Sequence, residues 1–402
     1  MSSTKYILVI LSGLGSDPLD ACNGKTPLEL ATTPALDSVS EAGRLGVAAT
    51  ADPGAFYSAE LGLLTLLGYN TTRFPIAPGP LDAAGLGVAL DRRDLALRLD
   101  FISTYNDQLM DLCAGQIQRA EAEVLIKMLN LRLGGESICF YPGLGYRNLL
   151  VMTGQAALDM RTHAPLEALD GSVEDYRPTG RDSGVLIDLM QKGRRELENH
   201  DVNKVRVDLG ENPADAIWPW GEGIDFTLPA FENFFPLKGS LVGAMPWVRG
   251  IARKIGFDVI DVPGVTGDAG TNFSGKVAAV LEALQRYDLV VLHVGATFEF
   301  KNRGDPVAAI AATETVDCEV LAPLLDGLQS LERWRLMVAS DQPASMLESS
   351  ELYGLIPVAF CGHRVEGIRH YDFTEANAMQ SDLIVKEGHN LIEFFLGIQR
   401  WS

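Results

Sequence analysis

Several runs in this chain are short, apolar almost without interruption and closed by a turn, with helical segments between them. Tyr6–Leu11 follows Lys5 directly and stops at the Gly-containing turn SGLGSDP. Asp288–Val294 is apolar after its first residue except for His293. A strand with one wet face alternates polar and apolar residues, whereas a run without alternation is covered on both faces. The same reading places strands at Arg44–Ala49, Gly239–Ala244, Asp258–Val262, Leu336–Ala339 and Pro357–Cys361. Helices are expected at Thr33–Ala42, Tyr57–Leu67, Pro246–Ile255, Gly275–Arg286 and Val307–Leu331. Strands alternating with helices give an α/β fold, a mostly parallel sheet with helices on both faces. Ligands of such sheets bind beyond the carboxyl ends of the strands. The loops expected to converge there are Ser12–Asp17, Gly54–Glu60, Gly295–Asp305 and Ser340–Glu351.

The texture changes near Leu95. Leu97–Ile102, Gly115–Gln118, Ser137–Tyr141 and Arg147–Thr153 read as strands, and Ala120–Leu133 and Ser183–Glu198 as helices. The first of these helices carries Val124, Leu125, Met128 and Leu131 on its apolar side. At 402 residues the chain exceeds one ordinary core. The expected division is a first core segment over 1–94, an inserted α+β domain over 95–204 and a second core segment over 205–402.

A net charge of −20 argues against nucleic acid and anionic membrane surfaces as partners. It leaves room for a small anionic ligand in a local basic pocket. Cys22, Cys113, Cys139, Cys318 and Cys361 are odd in number and form no CxxC pair, which favours a reducing cytoplasm over a disulfide framework. The six-residue run Tyr6–Leu11 is too short to cross a membrane. Gly13–Gly15 lacks the third glycine of a dinucleotide fingerprint and reads as a strand-end turn. His293 reads as a satisfied core histidine, and Trp218 and Trp220 as packing residues at a domain junction.

Four segments, in this order, carry a resemblance: GKTPLELATTPALD (Gly24–Asp37), LLGYN (Leu66–Asn70), IWPWGEG (Ile217–Gly223) and VPGVTGDAGTN (Val262–Asn272). Together they resemble the archaeal-type 2,3-bisphosphoglycerate-independent phosphoglycerate mutases of the alkaline phosphatase superfamily. IWPWGEG and SDQPASM (Ser340–Met346) place the chain near the branch labelled homoserine kinase. The resemblance implies an alkaline-phosphatase-like core with an inserted domain. It also implies phosphoryl transfer on small metabolites such as 3- and 2-phosphoglycerate. Two divalent cations (manganese, zinc, cobalt or magnesium) and a serine that becomes phosphoserine would supply the chemistry.

Carried over position by position, the resemblance puts Ser12 where an Asp ligand belongs and Ala59 where the nucleophilic serine belongs. Phe298 stands for an Asp, Asn302 for a His, and Glu351 for the last His. The Asp-His pair becomes Asp341 and Gln342, so Asp341 is the one retained ligand. Dications need oxygen or imidazole donors, and a phenyl ring is neither. Ser58 is one residue from the nucleophile position, a shift that turns a helical side chain by about 100°. It reads as the cap of the helix starting near Ala59. Lys301 is placed to pair with Asp341 in place of a lost cation. Pro78, Leu112 and Gln116 stand where the family has basic residues, while Asp111, Arg147, His200 and Asn203, with Lys301, are the expected substrate-binding residues.

The expected function is that of a catalytically impaired or non-catalytic ligand-binding homologue with no bound metal. The alternative is an active mutase or related phosphotransferase with a rebuilt site. There Ser12, Ser58, Glu60, Glu299, Asp305, Asp341 and Glu351 would hold a single hard cation. A metal-free enzyme using Lys301 or Arg303 as electrophile ranks behind both.

Overall fold

The computed structural model describes residues 4–50, 58–298, 305–345, 350, 353–367 and 371–398. Among them the strands are β1 (Lys5–Leu11), β2 (Arg44–Ala49), β3 (Leu95–Tyr105), β4 (Gln108–Asp111), β5 (Ile138–Leu144), β6 (Arg147–Met152), β7 (Ala216–Gly223), β8 (Gly239–Val242), β9 (Asp258–Ile260), β10 (Leu289–Val294), β11 (Trp334–Ala339), β12 (Leu355–Gly362) and β13 (Leu383–Val385). The chain forms two compact units. One comprises Met1–Phe74, Leu228–Ala244 and Ala252–Ser402, the other Pro75–Thr227 and Met245–Ile251. No helix among the described residues is long and apolar enough to cross a membrane.

The first unit holds an eight-stranded sheet in the order β13-β2-β12-β11-β1-β10-β8-β9. Only β12 runs against the others. Ile7, Leu8, Val9 and Ile10 of the central strand have no exposure. Full burial of each such side chain contributes roughly 1.5–3 kcal/mol, which is why an unbroken apolar run takes the middle of the sheet. Val9 and Leu11 join Val277, Val280, Val320 and Leu324 in the core of one face. On the other face Tyr6 meets Phe395 edge-on, with ring centroids 5.6 Å apart.

The helix expected over 307–331 exists but is interrupted. Pro306–Val316 and Ala322–Leu328 are α-helical, and a π turn spans Asp317–Leu321. The buried Asp317 carboxylate there accepts from the backbone N–H groups of Ala35 and Leu36 at 3.0 and 2.7 Å. Those donors open the helix Pro34–Glu41, whose own Thr33 supplies no side-chain cap. The π turn thus satisfies helix-end donors that would otherwise be orphaned.

The second unit is an antiparallel sheet in the order β4-β3-β6-β5, with β7 also paired to β3. IWPWGEG is therefore a strand, running beside β3 from Ala96 to Ile102. This pairing carries the unit through to Thr227, and Asp82 on helix Pro78–Leu86 ties that helix to Arg98 of β3. The unit boundaries therefore fall at other residues than 95 and 204. Trp218 and Trp220 both pack inside this unit. The Trp218 indole donates to the His163 carbonyl at 2.7 Å, and that of Trp220 to Asp100 Oδ2 at 2.9 Å.

Two expectations are corrected here. Gly115–Gln118 is not a strand, because Ala114, Gly115 and Gln116 have φ of 48°, 62° and 55°. A left-handed run of this kind turns the chain and cannot pair as a strand. The helix Arg119–Leu133 forms, but its buried stripe is Ala122, Leu125, Ile126 and Leu129. Val124 and Leu131 are 45% and 82% exposed. Packing against β5 and the helix Gly184–Glu198 selects the face, and a stripe at i, i+3, i+4, i+7 through Ala122 fits it better.

Asp215, just before β7, gives this unit a pH signature. Burial pushes its carboxyl up to about 6, opposed by hydrogen bonds from the Thr104 N–H (3.0 Å) and hydroxyl (3.2 Å). The folded pKa lies above the unfolded value, so the ionised form costs stability above pH 6 and the cost is relieved as pH falls toward 4. The stability difference between wild type and Asp215→Asn should shift by roughly 2 kcal/mol between pH 7 and pH 4. Urea unfolding at both pH values measures it, and a constant difference contradicts it.

Candidate functional site

The register of the first unit pairs Ile10 with both His293 and Ala339. The residues that follow these three strands therefore leave the sheet at one level. Ser12 is buried, and its N–H donates to the Val294 carbonyl at 2.9 Å. Its own carbonyl accepts the Thr297 hydroxyl. Gly13 adopts φ +75°, and a Cβ there would lie 3.0 Å from the Phe298 Cα and 3.4 Å from its ring atom Cδ2. A Cβ at Gly15 would lie 2.9 Å from that of Ala344. The loops after β1, β10 and β11 are thus in contact, as the strand-end rule requires.

Asp341 has no exposure. Its Oδ2 lies 3.1 Å from Nε2 of His293, and its Oδ1 has no hydrogen-bond partner. Gln342 turns back, its N–H donating to Ser340 Oγ at 3.2 Å. On helix Ala59–Leu66, Ser58 is the N-cap, its hydroxyl accepting from the Leu61 N–H at 3.4 Å. Ala59 opens the helix with a methyl group. Asp305 caps the helix Pro306–Val316 by accepting from the Ala308 N–H at 3.0 Å. Lys301, Asn302 and Glu351, with Glu299 and Arg303, lie outside the described residues.

The other predicted residues belong to the second unit. Arg147 faces Asp100 with two hydrogen bonds of 3.2 Å. Burial works against its charge, and the Asp100 carboxylate more than offsets that, holding the guanidinium well above its ordinary value. Asp111 accepts from the N–H groups of Cys113 and Gly115 and from Asn212, each at 2.8 Å, and so shapes the left-handed turn. His200 caps the helix Asp201–Asp208 through Nδ1. Asn203, 2% exposed, donates to the Leu197 and Ala214 carbonyls and accepts from the Ala214 N–H.

His293 is the satisfied core histidine expected from the sequence, 2% exposed with Nε2 at 3.1 Å from Asp341 Oδ2. Sequence reasoning missed only its partner, which lies 48 positions away.

A family profile described as 2,3-bisphosphoglycerate-independent phosphoglycerate mutase matches residues 40–203. The protein of that name from Methanothrix thermoacetophila is 34% identical over 393 residues, covering 98% of this chain and 99% of the relative. The chain belongs to the 2,3-bisphosphoglycerate-independent phosphoglycerate mutase family. A phosphoglycerate mutase of Methanosarcina mazei is 35% identical over 356 residues, 88% of this chain and 90% of its own. The fold has solved counterparts. A Pyrococcus horikoshii protein superposes with a TM-score of 0.75 at 23% identity, covering all of both chains. The cofactor-independent phosphoglycerate mutase of Thermoplasma acidophilum gives 0.57 at 24%, covering 98% of this chain and 99% of that one.

This mutase family is metal-dependent, so the donor set can be tested against a dication. A dinuclear centre needs several carboxylate or imidazole donors in one place. No group of three or more His, Cys, Asp or Glu that could hold a metal ion occurs among the described residues. At the strand ends one carboxylate, Asp341, is bonded to an imidazole, beside a neutral Gln342, a hydroxyl at Ser12 and the phenyl ring of Phe298. These described donors do not fit a pair of cations.

Proposed function

We propose that this member of the phosphoglycerate mutase family binds a small phosphorylated metabolite of the phosphoglycerate type without turning it over. The observation that carries this reading is the start of helix Ala59–Leu66. A phosphoserine route needs a hydroxyl about 3–3.5 Å from phosphorus, activated by a base or a metal. Ala59 has no hydroxyl, and that of Ser58 is used as a helix cap. Binding falls to the second unit, which Arg147, Asp111, His200 and Asn203 shape. The acidic surface keeps nucleic acid and anionic membranes away, and the scattered thiols suit the cytoplasm.

The test is conversion of 3-phosphoglycerate to 2-phosphoglycerate with manganese, cobalt, zinc or magnesium added. Turnover no faster than the buffer blank is the expected result, while either phosphoglycerate raises the melting temperature. At a ligand concentration of 100 Kd the stabilisation is about 2.7 kcal/mol. Turnover that Asp341→Ala abolishes would overturn the proposal in favour of a rebuilt single-cation site.

A further inference from the structure

The sheet of the second unit ends at β5, which pairs with β6 alone among the described residues. The outer side of such a strand is a template for another chain, because its outward peptide groups lack partners in the sheet. On β5 those groups do have partners, and a side chain supplies the central ones. Asn130, exposed on helix Arg119–Leu133, accepts from the Phe140 N–H through Oδ1 at 2.9 Å. Its Nδ2 donates to the Phe140 carbonyl at 2.6 Å.

Two bonds exchanged with a single residue are what the opposite residue makes in a hydrogen-bonded antiparallel pair. Asn130 thus imitates a neighbouring strand while standing on a helix. Both peptide groups of Phe140 face outward, so by alternation those of Ile138 and Pro142 do too. The Gly135 N–H donates to the Ile138 carbonyl at 2.9 Å, and Pro142 has no N–H to offer.

With the amide removed, the edge fits a second copy of itself. A two-fold interface is self-complementary. An antiparallel pair of β5 strands centred on Phe140 sets the two Phe140 residues opposite each other, exchanging both bonds. It sets Ile138 of each copy against Pro142 of the other. The N–H that Pro142 lacks would face the carbonyl that Gly135 already satisfies, so no acceptor is orphaned.

We propose that the Asn130 amide closes the β5 edge against a second copy of the chain, and that two such edges pair when it is lost. This goes beyond the phosphoglycerate reading and does not rest on it.

Two substitutions in the full chain separate closure from mere support. Asn130→Ala and Asn130→Lys both remove the bonds to Phe140, so both should lower the melting temperature by a similar few degrees. Only the alanine leaves the edge open, because a lysine on a sheet edge keeps a like edge away. Light scattering after size exclusion should give Asn130→Ala twice the wild-type mass and Asn130→Lys the wild-type mass. Cys139 and its copy would be diagonal neighbours in the pair, about 7–8 Å apart. A short bismaleimide should therefore join Cys139 to Cys139 in Asn130→Ala alone, as read by peptide mapping. A wild-type mass for Asn130→Ala, a doubled mass for both variants, or association without the Cys139 link would each overturn the inference.

Discussion

Asp82→Ala should destabilise this protein by about 3–5 kcal/mol, the range for removing one partner of a buried ion pair. Asp82 and Arg98 are 1% and 2% exposed and meet through two hydrogen bonds, one of them Nη2 to Oδ1 at 3.1 Å. The guanidinium also lies over the Trp220 ring, 4.9 Å from its centroid. Arginine does not shed its proton, so after the substitution a charge stays buried without its carboxylate. At about 2–4 °C per kcal/mol for a unit of 150–250 residues, the melting temperature should fall by roughly 10 °C. The double variant Asp82→Leu with Arg98→Met should recover most of the loss, since an apolar pair of similar volume replaces a buried ion pair at little cost. A fall below 1 kcal/mol in urea unfolding would show that water reaches Arg98.

How much of this was legible in the sequence depends on what each residue had to signal. The central strands were, because β1 and β10 are covered on both faces and leave an unbroken apolar record. β7 was not. Pro219, Gly221 and Gly223 interrupt IWPWGEG, and those residues depress strand propensity. Tertiary pairing with β3 overrides them, and a register shift between Ala96 and Arg98 absorbs the misfit. The turn over Ala114–Gln116 was hidden for the opposite reason, since only Gly115 advertises positive φ and its neighbours follow under the pull of Asp111.

The site was half legible. The residue types at Ser12, Ala59, Phe298 and Gln342 are read letter by letter. What meets Asp341 is not, because His293 is 48 positions away and reaches it only once β10 and β11 align on either side of β1. The cap at Ser58 was readable because capping is local, a hydroxyl three residues before the N–H it accepts.

Asn203 serves the architecture of the second unit, and it supplies the second large prediction. Its side chain joins the helix Asp201–Asp208 to two backbone stations, the Leu197 carbonyl at 2.9 Å and both polar groups of Ala214 at 2.8–2.9 Å. Asn203→Ala removes three hydrogen bonds and strands buried partners, each costing about 1–3 kcal/mol. The expected loss is about 3 kcal/mol, or roughly 6–12 °C in melting temperature. Asn203→Asp keeps the volume and can still accept from Ala214, but it cannot donate to either carbonyl and buries a charge. It should therefore be at least as damaging at pH 7. If Asn203 served a ligand instead, both variants would melt like wild type and lose only the stabilisation by phosphoglycerate.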